Sequence, residues 1–260
     1  MVNLKNYSHV SKLFVLLLTF TLLFSCAKPN YTVVKIEGKK IGINEQYANK
    51  EEFENYIKPY REHINAELNE VLAYCPETLE KSKGQYQTPI GDYLAEISLK
   101  RANKVFLLRE NKSIDACLLN HGGIRSIIPK GNVTARTAFE IMPFENSAIV
   151  VALKKEQIIE LANYFIEVKK PHPLAGITFT IDKNNEAKNI YIQGKPIEED
   201  RVYYILTSDY LSNGGDNMTF FKKGIQFYDI DYKLRNILID DFKEVDTLKA
   251  DHSIRITKEN

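Results

Sequence analysis

Three short stretches of this 260-residue chain carry residue types that suit a packed core poorly. In the first, Asn120-His121-Gly122-Gly123-Ile124-Arg125, paired glycines let the backbone approach a ligand closely or adopt positive φ. Asn120 and Arg125 bring an amide and a fixed cation to the same loop. In the second, Pro143-Phe144-Glu145-Asn146, a proline stiffens a loop on which Phe144 stands either outward, as a flat apolar surface, or tucked back against the core. The third, Tyr210-Leu211-Ser212-Asn213-Gly214-Gly215-Asp216, again joins an aromatic, a double glycine and a carboxylate. Taken singly, none of them marks a binding site: the first also fits a glycine turn with a solvated arginine, and the second a loop whose phenylalanine packs into the core. All three adjoin apolar runs that read as strands, and ligand sites commonly lie beyond strand ends.

The elements that must position these loops follow from periodicity. Asp115–Leu119, Ala148–Leu153 and Val202–Thr207 read as buried strands, with Lys104–Leu108 as another. Ile177–Ile181 and Asn189–Gln193 flank the turn-rich Asp182–Glu186 and form a hairpin. Phe53, Tyr56, Ile57, Tyr60, Ile64, Leu68, Val71 and Cys75 recur every three or four residues, one face of a long helix that Pro59 kinks or divides. Further helices are expected from Ile90 to about Ala102, over Glu156–Val168, and through Leu234, Ile237, Leu238, Phe242 and Val245. Ser253–Thr257 closes the chain as a strand. The mixed order predicts an α+β fold, a single mixed-sheet domain flanked by helices.

The N-terminus reads differently. Lys5 and Lys12 precede a run from Leu13 to Phe24 that is apolar except for Thr19 and Thr21. Twelve helical residues rise only ~18 Å against a hydrocarbon core of ~30 Å, so a signal peptide fits better than a span. Leu23-Phe24-Ser25-Cys26 matches a bacterial lipobox, which makes residues 1–25 the signal peptide and Cys26 the lipidation site. Residues 26–50 follow as a lipidated tether with a short hairpin around Glu37-Gly38, and residues 51–260 as the domain. Ala27 and Lys28 supply no acidic sorting residue, which points to an outer-membrane anchor facing the periplasm. Cleavage removes two lysines and leaves 33 basic against 34 acidic residues. Such neutrality excludes the clustered positive excess of a nucleic-acid surface. Cys117 lies in an apolar run and is expected to be buried; a bridge to Cys75 is open, and no C-x-x-C pair exists to hold zinc.

Taken together and in order, the three loops resemble the C-terminal domain of the 5′-nucleotidase family, whose pattern reads N-x-G-G-I-R, then P-F-G-N, then an aromatic followed by x-x-N-G-G-D. Gly91-Asp92-Tyr93-Leu94-Ala95 resembles that family's G-N-L-x-A-D helix opening, and His172–Phe179 its stretch ending S-G-x-x-F. The likeness runs from about Ile64 to Ile256. It implies that Phe144 and Tyr210 sandwich a nucleobase, that Asn146 bonds the base edge, and that Asp216 accepts from ribose hydroxyls. Asn120 and Arg125 then face the phosphate-bearing side. Departures cluster on that side: Gln85-Tyr86-Gln87 lacks an arginine that some members carry, Asp92 replaces an asparagine, and Glu145 replaces a glycine.

In that family hydrolysis belongs to a separate N-terminal dimetal domain. No D-x-H, G-N-H-[DE] or G-H-x-H segment occurs here, and the histidines stand singly in the sequence. Nor is there a G-x-S-x-G elbow or a P-loop. The expectation is a chain with no catalytic residue, metal or cofactor of its own and no catalytic domain upstream. It would hold a nucleoside or nucleotide either for a separately encoded metallophosphatase or as a binding or scaffold lipoprotein.

Overall fold

A computed structural model describes residues 5–23, 32–44, 47 and 50–259. The chain divides into two compact units between Phe53 and Glu54. In the first, helix α1 (Lys5–Leu23) takes in the apolar run from Leu13 as far as Leu23. Residues 32–44 carry no strand, so the hairpin expected around Glu37-Gly38 does not form. Val33, Val34 and Ile36 are exposed, and an isolated pair of strands with nothing to bury against is marginal in water. Cys26 lies outside the described residues. Among them, no helix is long and apolar enough to cross a membrane.

Helix α2 (Glu51–Leu68) runs through Pro59 without a break and buries none of its side chains. It stops short of Val71. Residues Val71–Cys75 form strand β1, paired antiparallel with β3 (Gly131–Thr134). Val71 and Cys75 satisfy both a helical four-residue step and two strand repeats, which is why periodicity misassigned them. Helix α3 (Pro89–Glu110) starts at Thr88, whose hydroxyl accepts from Gly91 N–H, and ends at Asn111 in the left-handed region. The expected strand Lys104–Leu108 is its last turns. Phe106 alone of that run is fully buried while Leu107 and Leu108 face outward, as a helix requires and a buried strand does not.

The remaining elements are β2 (Ala116–Leu118), α4 (Ala135–Ile141), β4 (Ser147–Leu153), α5 (Lys155–Val168), β5 (Leu174–Ala175), β6 (Ile177–Ile181), β7 (Ala187–Ile192), β8 (Lys195–Pro196), β9 (Tyr203–Ser208), α6 (Asp209–Ser212), β10 (Gln226–Lys233), α7 (Leu234–Glu244) and β11 (Ile256–Lys258). The central sheet runs β10-β4-β9-β2-β5, with β2 parallel to β9 and the other pairs antiparallel. The predicted hairpin forms as β6 and β7, within a second sheet β11-β6-β7-β8. The α+β reading holds.

Both faces of the central sheet are covered, which explains its continuous apolar runs. Alternate residues sort cleanly. Cys117, Ala148, Val150 and Leu206 join the core under α3 and α7. Ala116, Leu118, Ile149, Val151, Tyr203 and Ile205 join the core under α5. Cys75 and Cys117 are both buried and unbridged.

Candidate functional site

Strand direction brings the three loops together. Because β2 and β9 are parallel neighbours, their C-terminal ends share one edge of the sheet, delivering Asn120 and Tyr210 side by side. Because β4 is antiparallel to β9, its N-terminal end reaches the same edge and brings Phe144 and Asn146. The end of β10 (Lys233 opposite Ser147) and the start of β5 (Leu174 opposite Leu118) arrive there too.

All six predicted side chains meet at this edge. The Asn120 Nδ2 donates to Asp216 Oδ2 at 2.8 Å. The Tyr210 hydroxyl donates to Asp216 Oδ1 at 3.1 Å and accepts from the Asp216 N–H at the same distance. Tyr164, which sequence reasoning did not single out, donates its hydroxyl to the Asp216 carbonyl at 2.8 Å. The Asp216 backbone lies in the left-handed region, with φ of 50°. Each carboxylate oxygen accepts one intramolecular bond and keeps a lone pair for another donor.

Phe144 is 49% exposed and Tyr210 47%, so both rings stand out of the core. The Arg125 guanidinium lies 5.9 Å from the Phe144 centroid, and its Nη1 donates to the Gly122 carbonyl at 3.3 Å. Asn120, Gly123, Phe144 and Asn146 line one narrow cleft, together with buried Leu119 and Leu234. The Asn146 carbonyl accepts from Leu234 N–H at 3.0 Å, and its side-chain amide has no intramolecular hydrogen bond among the described residues.

Two loop glycines are demanded by close approach. A Cβ on Gly215 would sit 2.5 Å from the Tyr210 ring, and one on Gly123 would sit 2.8 Å from Asn120 Oδ1. Gly214 adopts φ of 85°, whereas a methyl on Gly122 would make only ordinary contacts.

Two acids that depart from the family pattern are each paired with an arginine. The Asp92 carboxylate is buried against Arg255 at 2.7 Å and accepts from Gln87 at 3.0 Å. Burial raises its pKa to about 6 against the pull of that arginine. The Glu145 carboxylate pairs with Arg235. Neither acid is an uncompensated charge. Lys81, not foreseen, donates Nζ to the Ile124 carbonyl, and burial and the neighbouring Arg125 both lower its pKa.

His121 and His172 stand far apart in sequence but not in space. The His121 backbone N–H donates to His172 Nδ1 at 3.2 Å. His172 is buried beside the Tyr164 and Phe165 rings, and burial pulls its pKa down to about 4, opposed by Asp216. A larger groove, lined by Tyr93, Glu96, Lys100, Asp241 and Lys249, contains none of the predicted residues. Its Asp241 is already held by Tyr93 at 2.6 Å and Arg101 at 3.0 Å, so these groups serve packing.

Residues 71–223, more than half of the chain, match the family described as 5′-nucleotidase, C-terminal domain. The chain belongs to that family. As a 5′-nucleotidase C-terminal domain it is 25% identical over 194 residues to a 5′-nucleotidase of Vibrio vulnificus, a match covering 70% of this chain and 33% of that protein. It is 24% identical over 220 residues to the trifunctional nucleotide phosphoesterase protein YfkN of Bacillus subtilis, covering 78% of this chain and 15% of that one. Among solved structures, the 5′-nucleotidase precursor of Thermus thermophilus aligns with a TM-score of 0.66 at 21% identity, over 80% of this chain and 43% of that chain. The NAD nucleotidase of Haemophilus influenzae aligns at 0.63 and 16%, over 81% and 42%. At such identity the structures establish the shared fold. The chain spans about a third or less of the length of these curated relatives.

Proposed function

We propose that this 5′-nucleotidase C-terminal domain recognises the nucleoside part of a nucleotide for a separately encoded dimetal phosphatase in nucleotide breakdown. The observation that carries the reading is the hydrogen-bonded set Asn120–Asp216–Tyr210, whose Asn120 lines one cleft with the outward Phe144 and with Asn146. The base stacks between Phe144 and Tyr210, each face contributing ~1–3 kcal/mol with tolerance for different bases. The free Asn146 amide bonds the base edge, and the spare lone pairs of Asp216 accept from the ribose hydroxyls. Arg125 and Lys81 face the phosphate, for which a planar guanidinium offers two parallel donors.

In this reading the chain holds a substrate and a partner supplies the two metals that activate water. Lipid on Cys26 tethers it to the outer membrane, facing the periplasm, where exported nucleotides are met. With AMP and Mn²⁺, the chain alone releases no phosphate, and release appears when an exported dimetal phosphatase is added. Metal-dependent turnover by this chain alone would overturn the assignment. A non-catalytic nucleoside-capturing or scaffold lipoprotein is the second reading. It is favoured by the sparse cation side, where Lys81 is already engaged by a backbone carbonyl. The two part on whether any phosphatase gains activity from the chain.

A further inference from the structure

The loop that presents Phe144 is gripped from one place. Arg235, at the start of α7, is 6% exposed. Its Nη1 donates to the Met142 carbonyl at 3.3 Å and the Pro143 carbonyl at 3.1 Å. Its Nη2 pairs with the Glu145 carboxylate. The guanidinium lies 4.1 Å from the Phe139 ring centroid, which fixes its plane. The residues before Phe144 and the one after it are thus tied to a single side chain. Neighbours on the same turn complete the grip: Lys233 Nζ donates to the Glu145 carbonyl at 3.0 Å, and the Leu234 N–H to the Asn146 carbonyl at 3.0 Å.

We infer that Arg235 is a positioning residue for nucleoside binding, holding the Met142–Asn146 loop so that the Phe144 ring stands outward as a preformed stacking surface. The inference rests on the nucleoside reading above for its consequence, and on the loop geometry for its mechanism. A phenylalanine on a free loop would fold back onto apolar neighbours, because burying that ring is worth ~1.5–3 kcal/mol. Opposing this takes fixed bonds on both sides of the residue. A guanidinium supplies them because its donors are spread over separate nitrogens in one plane, so that Nη1 serves both carbonyls while Nη2 meets the carboxylate, whereas an ammonium gathers its three donors on one atom. Burying that cation is costly, and its Nε has no partner among the described residues. The position therefore serves the loop better than it serves the core. Glu145, at a position where the family pattern has glycine, becomes intelligible as the arginine's counter-charge.

The test has a ligand-free and a ligand-bound arm. Phe144 is replaced by 4-fluorophenylalanine in the full chain, and its fluorine resonance is followed in Arg235, Arg235→Lys and Arg235→Met forms. A single narrow line is expected with arginine, moderate broadening with lysine, and several or shifted lines with methionine. Adenosine calorimetry on the unlabelled chains should show about tenfold weaker binding for Arg235→Met and about threefold for Arg235→Lys, each tenfold being ~1.4 kcal/mol. Phe144→Ala combined with Arg235→Met should bind no worse than Phe144→Ala alone, since the arginine acts through that ring. Additive losses, or an unchanged fluorine line in Arg235→Met, overturn the inference. If Arg235→Met does not fold, an unchanged line in Arg235→Lys overturns it equally. If the unmodified chain binds no adenosine, the nucleoside reading fails, and the fluorine lines decide the role of Arg235 by themselves.

Discussion

The two sides of the site are built to different standards. On the side of Phe144, Tyr210 and Asp216, the central carboxylate is oriented by its neighbours: Asn120 and Tyr210 hold its oxygens, Tyr164 holds its backbone, and glycine leaves room for the Tyr210 ring. On the side of Arg125, the guanidinium is exposed and held by one long bond to Gly122, and Lys81 is engaged by a carbonyl. Preorganised groups lose little freedom on binding, while an exposed cation gives up rotamer entropy and is screened by salt. The contrast teaches that affinity should come from the nucleoside, with phosphate adding little.

The largest expected effect breaks the ordered side. Phe144→Ala with Tyr210→Ala removes both stacking faces, roughly 2–6 kcal/mol together, so the heat of adenosine binding should disappear in calorimetry. Either single variant should keep measurable binding. Survival of adenosine affinity in the double variant would dissolve the contrast.

Next comes the imidazole behind that side. His172 is held neutral by burial, with a folded pKa of about 4 against ~6.5 when unfolded. Between those values the unfolded chain binds more protons than the folded one, so stability falls as pH drops through this window. The loss reaches on the order of 3 kcal/mol by pH 4. Protonation at Nδ1 also removes the acceptor for His121 N–H, loosening the loop that carries Asn120. Urea midpoints measured from pH 7 to pH 4 should drop steeply for the unmodified chain and more shallowly for His172→Gln; parallel slopes would contradict this.

The smallest effect probes the sparse side. Arg125→Ala should weaken AMP about fivefold, near 1 kcal/mol for an exposed charge pair, while adenosine changes less than twofold. A hundredfold loss for AMP would mean the cation side is better organised than it looks.

Much of this was legible in the sequence, and the failures have physical reasons. Asn120, Arg125, Phe144, Asn146, Tyr210 and Asp216 were picked out by the order and spacing of three loops that resemble the family pattern, whereas the residue types of each loop alone left a bland reading open. The central strands were visible because burial on both faces makes them continuously apolar. Arg235 was not, since an arginine on an amphipathic helix reads as a solvated face until its loop partners some ninety residues earlier are known. The His121–His172 pair was hidden by a separation of 51 residues, closed only by the β2–β5 pairing. Glu145 and Asp92 read only as departures from the family pattern because their partners, Arg235 and Arg255, lie far along the chain.

Adenosine and AMP titrated by calorimetry into the unmodified chain, without metal, test the central claim most directly. The account predicts that adenosine binds and that AMP binds less than about tenfold tighter, since a screened exposed cation adds at most ~1 kcal/mol. Binding of AMP with no detectable binding of adenosine, or of neither, would contradict it.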